Sequence, residues 1–255
     1  MPVPYRSLLA ALVLGLSLSS QAAVLNVDVG SQLPRFDLVK PGTHHYLRFM
    51  RTPGTGANQP IDIWTREIRF EEREGKRQMR IVQRWDGVLP KPSVRTFDSW
   101  FEAGTFRPLS HQRVSEMDGK RVVEGFVFAP DKITGMKELA ENAHKDLSVA
   151  SSEPTYNFET DIEFLQALPL AEGLDARINF YHPGGSLAPQ RYSFRVTGSS
   201  TIAGPGGPVD CWVVKTDYNR PGSESTFWFA KATQLMVRQE SPLPDGRVMV
   251  KTLID

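Results

Sequence analysis

The chain has 255 residues, of which 40% are hydrophobic and 23% charged, and its formal net charge at pH 7 is +1. A near-neutral balance of charge without a block of Lys and Arg argues against nucleic acid or an anionic membrane as the main partner. Cys211 is the single cysteine in the sequence, so an intramolecular disulfide bond is excluded and packing must stabilise the fold. The length and hydrophobic content are sufficient for one β-rich domain or two small ones.

The first 22 residues have the pattern of a secretory signal peptide. Arg6 precedes an apolar stretch that runs from Leu8 to Leu18, and small residues stand at Ser20 and Ala22. We predict cleavage after Ala22, which would place a soluble mature chain in the periplasm or outside the cell. The apolar stretch is shorter than the roughly 20 residues that cross a bilayer, so no stable membrane insertion is expected after cleavage. No cysteine follows the signal directly, and we therefore expect no lipid anchor.

Several segments show the residue alternation that is typical of β-strands. In residues 61–70, 78–86 and 191–196, apolar side chains alternate with mostly polar ones. A period of two with one polar face predicts half-buried antiparallel strands. Residues 209–214 and 225–230 are instead apolar on both sides. These two segments predict central strands that are covered on both faces.

Two segments between the strands have a different period and predict helices. Residues 134–147 place apolar side chains at spacings of three and four, with Thr134 as the N-terminal cap. Residues 160–170 open with Thr160 and Glu163, the pattern of a capping box. A following proline ends this second, shorter helix. Both helices are expected to cover one face of the sheet.

A short phrase occurs twice in the chain. Trp100 and Trp228, 128 residues apart, are each followed by Phe and then by Thr in the pattern W-F-x-x-x-T. An Asp-Gly pair follows each phrase, at Asp118-Gly119 and at Asp245-Gly246. Asp-Gly between alternating segments is a strong local signal of a β-hairpin. The ordered recurrence predicts two similar meanders, although aromatic hairpins also resemble one another by chance in β proteins.

The predicted fold is mainly β, of the α+β class. It is a strongly curved antiparallel sheet or half-barrel, built of two similar meanders with two helices packed on it. The meanders cover about residues 61–130 and 190–254, and a helical insert covers about residues 131–170. We expect the meanders to continue each other edge to edge within a single β-rich domain of residues 23–255, after the signal peptide of residues 1–22.

The order of several segments carries a resemblance to a known family. The segments are "RTFDSWFEAGTFRPLSH", "DG", "FLQALPLAEG", "CWVV" and "FWFAKATQLMVRQE". In this order they resemble bacterial exported proteins grouped as the domain-of-unknown-function 3108 family, over about residues 60–254. That resemblance implies no assigned activity and no catalytic residues. More distantly, the strand-helix-strand plan resembles the lipoprotein-carrier superfamily, whose members fold as curved half-barrels closed by helices around an apolar cavity.

The aromatic residues of the predicted central strands are the candidate ligand-binding residues. They are Trp100, Trp212, Phe227, Trp228 and Phe229. One interpretation is an ordinary core between the sheet and the helices. The other is a concave sheet whose inner face lines an apolar pocket for a lipid or a similar molecule. Periodicity shows which faces are covered and does not separate these interpretations.

No pattern of catalytic or metal-binding residues is evident in the sequence. Adjacent residues on a strand point to opposite faces, so His44 and His45 are expected to be exposed rather than to bind one metal ion. Cys211 has apolar neighbours and is expected to be a buried thiol with a high pKa. The segment "HPGGS", residues 182–186, reads as a hairpin turn because no G-x-S-x-G nucleophile turn accompanies it. We expect no cofactor and no bound metal.

The leading functional hypothesis is an exported, non-catalytic protein that binds an apolar ligand or lipid in a curved-sheet pocket. The alternative is an envelope scaffold or protein-interaction module that binds another envelope protein. A hydrolase is the least favoured class. It requires His111, His144 or His182 to lie beside a serine, Cys211 or a carboxylate in a cleft.

Overall fold

The computed structural model describes residues 24–73, 75–88 and 91–255, so the predicted signal peptide lies outside the described residues. The strands are β1 (Val24–Val27), β2 (Gly42–Arg51), β3 (Asn58–Arg73), β4 (Lys76–Gly87), β5 (Ser93–Glu102), β6 (Pro108–Met117), β7 (Lys120–Ala129), β8 (Lys132–Gly135), β9 (Ser148–Ala150), β10 (Tyr156–Asn157), β11 (Asp175–Tyr181), β12 (Gln190–Gly204), β13 (Gly207–Thr216), β14 (Ser225–Ala230), β15 (Met236–Pro242) and β16 (Val248–Leu253). Helical structure in this part of the chain consists of two 3₁₀ helices, Phe36–Leu38 and Phe158–Thr160, and one α-helix, α1 (Asp161–Gln166).

The strands form a single curved sheet that does not close into a barrel. The order is β1-β11-β12-β13-β14-β15-β16-β2-β3-β4-β5-β6-β7-β8-β9, and β10 also pairs with β11. The pairings are antiparallel except those of β1 and β10 with β11. The two halves meet where β16 pairs with β2, from Val248 opposite Arg51 to Leu253 opposite Tyr46. The last strand of the chain therefore lies beside the strand that begins the first half.

The two copies of the repeated phrase form hairpins with the same backbone geometry. A β-bulge follows Trp100 in β5, and another follows Trp228 in β14. In each turn the sixth residue after the tryptophan is left-handed, with φ of 57° at Phe106 and 51° at Gln234. The shared threonine of each turn accepts the backbone N–H two residues further on, at 3.3 Å and 3.2 Å. The repeated phrase thus encodes one bulged hairpin twice.

Helix α1 and the residues after it pack on the concave face of the sheet and form the main core with it. Phe164 and Leu168 are at most 1% exposed. Both left-handed turn residues reach this segment. The Phe106 ring lies 5.5 Å from the Phe164 ring, and Gln234 Nε2 donates to the backbone oxygens of Gln166 and Leu168, each at 2.6 Å. The two hairpins of the repeat therefore hold the same short helical segment.

The helix predicted over residues 134–147 is wrong. Thr134 lies in β8, and the residues that follow form turns up to β9. The Asn142 side chain accepts from the N–H of Gly125 at 3.0 Å and donates to its carbonyl at 2.9 Å, as a neighbouring strand would. A Cβ atom on Gly125 would lie 2.5 Å from Leu139, so the segment packs directly on β7. Pairing with β7 satisfies the polar groups that a helix would have satisfied internally.

The second predicted helix is confirmed as α1, but the expected capping box does not form. The Thr160 side chain makes no capping bond and instead donates to the carbonyl of Asn157 at 3.1 Å. The Asn157 side chain accepts from the N–H of Glu159 at 3.0 Å and caps the preceding 3₁₀ helix. Glu163 is not available for capping because its carboxylate binds Arg66 of β3. Of the two helices expected on the sheet, one is therefore present.

Candidate functional site

A cavity of about 440 Å³ opens on the concave face of the sheet, beside the 3₁₀ helix that precedes α1. Strands of both halves and the turn between β13 and β14 contribute to its walls. The residues that line it are Trp64, Arg66, Trp85, Phe158, Glu159, Asp161, His182, Tyr192, Asp217, Tyr218, Arg220, Ser223, Ser225, Gln239, Ser241, Pro242, Leu243, Pro244, Met249 and Lys251. The cavity therefore combines an aromatic surface with a small number of charged groups.

Two stacked tryptophans form one wall of this cavity. Trp64 of β3 and Trp85 of β4 are paired across the strands, with ring centroids 3.8 Å apart and an angle of 6° between the planes. The guanidinium of Arg48 lies 4.9 Å from the Trp64 centroid and is held by both carboxylate oxygens of Asp62. Trp85 Nε1 donates to Gln83 Oε1 at 3.1 Å. These contacts fix a flat, rigid apolar surface.

A buried ion pair anchors the helical segment to the sheet below the cavity. Arg66 Nε and Nη2 donate to the two carboxylate oxygens of Glu163 at 2.5 Å and 2.6 Å. Arg66 Nη1 also donates to Gln83 Oε1 at 2.7 Å, and Gln83 Nε2 donates to the carbonyl of Glu159 at 2.9 Å. Burial acts to lower the pKa of Arg66, but the adjacent Glu163 carboxylate outweighs it and raises that pKa. Arg66 is therefore a charged structural group rather than a free ligand-binding cation.

Lys251 and Asp161 are charged cavity residues that, like the exposed Arg220, remain available to a ligand. Neither side chain makes a hydrogen bond or an ion pair within the described residues. Lys251 is 8% exposed, and burial lowers its pKa to about 7. Burial raises the pKa of Asp161 to about 6. The cavity thus contains an amine and a carboxyl group that both titrate close to neutral pH.

The opposite wall of the cavity is a cluster of aromatic rings. The Phe158 ring lies 3.7 Å from the His182 ring and 5.5 Å from the Tyr218 ring, measured between centroids. His182 Nε2 lies 3.2 Å from the hydroxyl of Tyr192. Burial lowers the pKa of His182 to about 4, so this imidazole is neutral at pH 7. The wall therefore offers apolar rings and neutral hydrogen-bonding groups.

The five aromatic residues selected from the sequence do not line this cavity. Phe227 and Phe229 are fully buried in the main core. Trp212 is partly buried against the same core, with Lys231 Nζ 4.6 Å from its ring centroid. Trp228 packs in a small apolar cluster on the convex face, and Trp100 lines a separate convex groove. Their role in ligand binding stays a prediction.

Trp64, Trp85 and Lys251 line the cavity but are not among the residues selected from the sequence, although the sequence contains signals for them. Trp64 and Trp85 each occupy the apolar side of an alternating strand, so both were expected on one face of the sheet. Lys251 lies between Met249 and Leu253 at every-second-residue spacing, where the other side chains are apolar. A lysine on an otherwise apolar strand face is an unusual feature, because lysine is rarely buried.

The expectation for Cys211 is confirmed. The thiol is fully buried, and burial raises its pKa to about 11. His44 and His45 are adjacent on β2 and only partly buried, and His45 Nδ1 contacts the Asp255 carboxylate. Within the described residues, no group of His, Cys, Asp and Glu side chains is arranged to hold a metal ion.

Two of the histidines named for a hydrolase lie beside a serine or a carboxylate, but in structural settings. His111 Nδ1 lies 2.8 Å from Ser99 Oγ, yet both residues are 0% exposed and do not face a cleft. Burial lowers the pKa of His111 to about 3. His144 Nε2 lies 2.9 Å from Glu124, whose carboxylate is also bound by Arg113. Neither arrangement presents a nucleophile to a substrate.

The family model "Protein of unknown function (DUF3108)" matches residues 53–252. The chain belongs to the DUF3108 family. The match includes both hairpins of the repeat, α1 and all of the strands that line the concave cavity. The family resemblance expected from the sequence is thereby confirmed.

Two solved structures are similar to this DUF3108 protein to different degrees. A β-barrel-like protein of the DUF1849 family from Brucella abortus is 13% identical, with a TM-score of 0.54, and the match covers 85% of this chain and 97% of that chain. A DUF1329 family protein from Desulfovibrio piger ATCC 29098 is 12% identical, with a TM-score of 0.32, and the match covers 88% of this chain and 92% of that chain. At this identity the first comparison concerns the fold alone. A comparison with curated proteins finds no match.

Among the described residues of this DUF3108 protein, no helix has the length and apolar character that crossing a membrane requires.

Proposed function

We propose that this DUF3108 protein is an exported, non-catalytic binding protein whose concave cavity accepts an apolar or amphipathic molecule such as a lipid. The observation that carries the proposal is the cavity of about 440 Å³ beside the stacked Trp64 and Trp85. Ligand pockets typically have volumes of about 300 to 1,000 Å³ and are lined by aromatic and apolar side chains with a few polar groups. The size and lining of this cavity agree with that description.

The distribution of charge within the cavity favours an amphipathic ligand over a purely apolar one. The stacked tryptophans and Phe158 contact the apolar part of such a molecule. Lys251 and Asp161 lie where a polar group can pair with either of them, since neither has a hydrogen-bond partner among the described residues. A polar ligand group at this position compensates for the cost of burying them. A plain hydrocarbon offers neither group a hydrogen-bond partner.

The test is native mass spectrometry of protein purified from its own envelope, followed by extraction of any bound lipid. A mass above that of the bare chain supports the proposal, and a clean apo mass counts against it. Ser223 lines the cavity and is partly exposed, so Ser223→Trp is expected to fill the space and remove the bound mass. Ser152→Trp, at an exposed loop position outside the cavity, is the matched control and is expected to keep it.

The scaffold alternative requires a continuous exposed apolar surface. The large apolar side chains that are exposed are distributed over several elements of the described chain, and only Val122 and Val127 share a strand, β7. They are Val24, Ile63, Val88, Met117, Val122, Val127, Leu187 and Ile254. The concave cavity is therefore the better-supported site, and binding of an envelope protein stays the alternative proposal. The hydrolase proposal has weaker support because the Ser99 and His111 pair is fully buried.

A further inference from the structure

A second concavity, a groove of about 930 Å³, lies on the convex face of the sheet beside Trp100. It shares no lining residue with the concave cavity. Its walls come from the facing ends of β3 and β4, from the β5–β6 hairpin, from β7 and from the segment after β8. This groove is independent of the site described above.

The internal repeat provides a direct comparison for this groove. Trp100 pairs with Arg80 in the first repeat, and Trp228 pairs with Val213 in the second. The strand registers on either side of these two pairs match, so six positions on the convex face are equivalent between the repeats. In the second repeat the six are the apolar residues Ile202, Val209, Cys211, Trp228, Ala230 and Val237, which pack together as one cluster. In the first repeat the equivalent residues all line the groove: Arg73, Lys76, Gln78, Trp100, Glu102 and Leu109.

The same bulged hairpin therefore supports a closed apolar cluster in one repeat and an open polar groove in the other. The backbone does not require the groove, because apolar side chains on an equivalent backbone fill the space in the second repeat. The difference lies in the side chains. Arg73 and Lys76 stand where Ile202 and Val209 close the other cluster. Since the shared fold would also allow apolar packing here, stability alone does not account for the polar residues.

The charges around the groove are mostly positive. Four basic residues of the described chain line the groove: Arg73, Lys76, Arg77 and Arg107. Only two acidic residues among those described line it, Glu102 and Glu138. Glu102 is already engaged by Arg107 Nε at 3.0 Å. Lys76 and Arg77 form no ion pair within the part of the chain that the structure describes. The groove thus has cationic groups that are not neutralised by neighbouring carboxylates.

Trp100 provides an aromatic surface between these cations. The guanidinium carbons of Arg73 and Arg80 lie 4.8 Å and 4.9 Å from its ring centroid. Side chains with amide and hydroxyl groups, Gln78, Ser110 and Gln112, complete this part of the lining. The cations of the groove can bind anionic groups, and its amide and hydroxyl side chains can form hydrogen bonds with hydroxyl groups of a ligand. The aromatic ring can pack against the apolar face of another ring. A ligand that uses all three has acidic groups, many hydroxyls and a ring.

We propose that the convex groove binds an acidic saccharide. Its anionic groups pair with Lys76 and Arg77, its hydroxyls bond to the amide side chains, and a sugar ring packs beside Trp100. The second repeat has no equivalent site because the corresponding positions are filled by Ile202 and Val209. The protein then has two distinct binding surfaces, one on each face of the sheet.

The test is isothermal titration calorimetry of the purified protein with an oligogalacturonate, a uronic acid oligomer, and with a neutral maltooligosaccharide of the same length. The oligogalacturonate is expected to bind and the neutral oligomer is not. The double substitution K76Q/R77Q is expected to weaken binding about tenfold, the effect of losing two partly exposed charge pairs. K120Q/R121Q removes the same charge from two adjacent exposed residues of another hairpin and is expected to leave the affinity within about twofold.

A second variant, R73I/K76V, copies the apolar pair of the second repeat into the first. It is expected to abolish binding without lowering the midpoint of urea unfolding.

Absence of oligogalacturonate binding, or equal weakening by K76Q/R77Q and K120Q/R121Q, overturns the proposal. Vesicles of phosphatidylglycerol and phosphatidylcholine test a lipid headgroup as the source of negative charge. Vesicle binding that depends on Lys76 and Arg77 while the oligogalacturonate fails to bind assigns the groove to lipid and also overturns the proposal.

Discussion

The ammonium nitrogen of Lys251 lies 3.8 Å from the ring centroid of Trp64. The two residues belong to β16 and β3, which are separated in the sheet by β2. A lysine near the end of the chain therefore contacts a tryptophan near its beginning, across the seam that joins the two halves. The contact contributes to the wall of the concave cavity.

Replacing Lys251 with Met is expected to flatten the pH dependence of stability above neutral pH. Burial lowers the pKa of Lys251 to about 7, from an ordinary value of 10.5. The unfolded chain thus binds more protons than the folded chain between these two values, and the free energy of unfolding rises with pH in that range. Between pH 7 and pH 9.5 the free energy of unfolding is expected to rise by about 2 to 3 kcal/mol more in the wild type than in Lys251→Met.

Urea unfolding at the two pH values measures this difference. Lys132→Met, at an exposed position on β8, is the control and is expected to retain the wild-type pH dependence. If the free energy of unfolding depends on pH in the same way in the wild type and in Lys251→Met, the Lys251 amine is not desolvated in the folded protein.

Replacing Arg66 with Met is expected to destabilise the fold by about 3 to 5 kcal/mol, because it leaves the Glu163 carboxylate buried without its cation. The Arg66 and Glu163 side chains are 3% and 7% exposed. The double substitution R66M/E163M removes both charges and is expected to cost less than Arg66→Met alone. A double-mutant cycle by chemical denaturation gives the coupling energy. Additive effects of the two single substitutions would contradict a direct ion pair.

Replacing Gln234 with Leu is expected to lower stability by about 1 to 3 kcal/mol. The side-chain amide of Gln234 is the donor to the carbonyls of Gln166 and Leu168, and leucine leaves these two acceptors without that partner. Gln59→Leu, at an exposed position of β3, controls for the change of residue type. Thermal unfolding compares the two variants, and equal midpoints would argue against a role for Gln234 in holding α1.

Trp228→Ala is expected to destabilise the protein more than Trp100→Ala, although the two tryptophans are equivalent in the repeat. Trp228 packs in the closed convex cluster, and its Nε1 donates to Ser200 Oγ at 3.1 Å. Trp100 lies in the open groove, where water replaces part of the lost contact. We expect a loss of about 3 kcal/mol for Trp228 and a smaller loss for Trp100. Guanidinium denaturation of both variants measures the order, and a larger loss of stability for Trp100→Ala would contradict the open groove around Trp100.

The contrast between α1 and residues 134–147 shows where local pattern and final structure separate. Both segments have helical periodicity, yet only the second predicted helix forms. Residues 134–147 have a competing partner, since Asn142 pairs with the backbone of Gly125 in β7. A glycine in the sequence does not reveal that another segment will pack directly over it. The outcome depends on which residues meet after the sheet has formed.

The sequence by itself determined the alternating strands, the repeated bulged hairpin and the burial of Cys211. These features depend on residues close to one another along the chain, through side-chain period and turn chemistry. Only the tertiary structure decided that β16 pairs with β2, that Lys251 lies beside Trp64, and that space remains above the two stacked tryptophans. Periodicity identifies a face that is covered, but the identity of the cover and the volume left beneath it depend on strands that are distant in sequence.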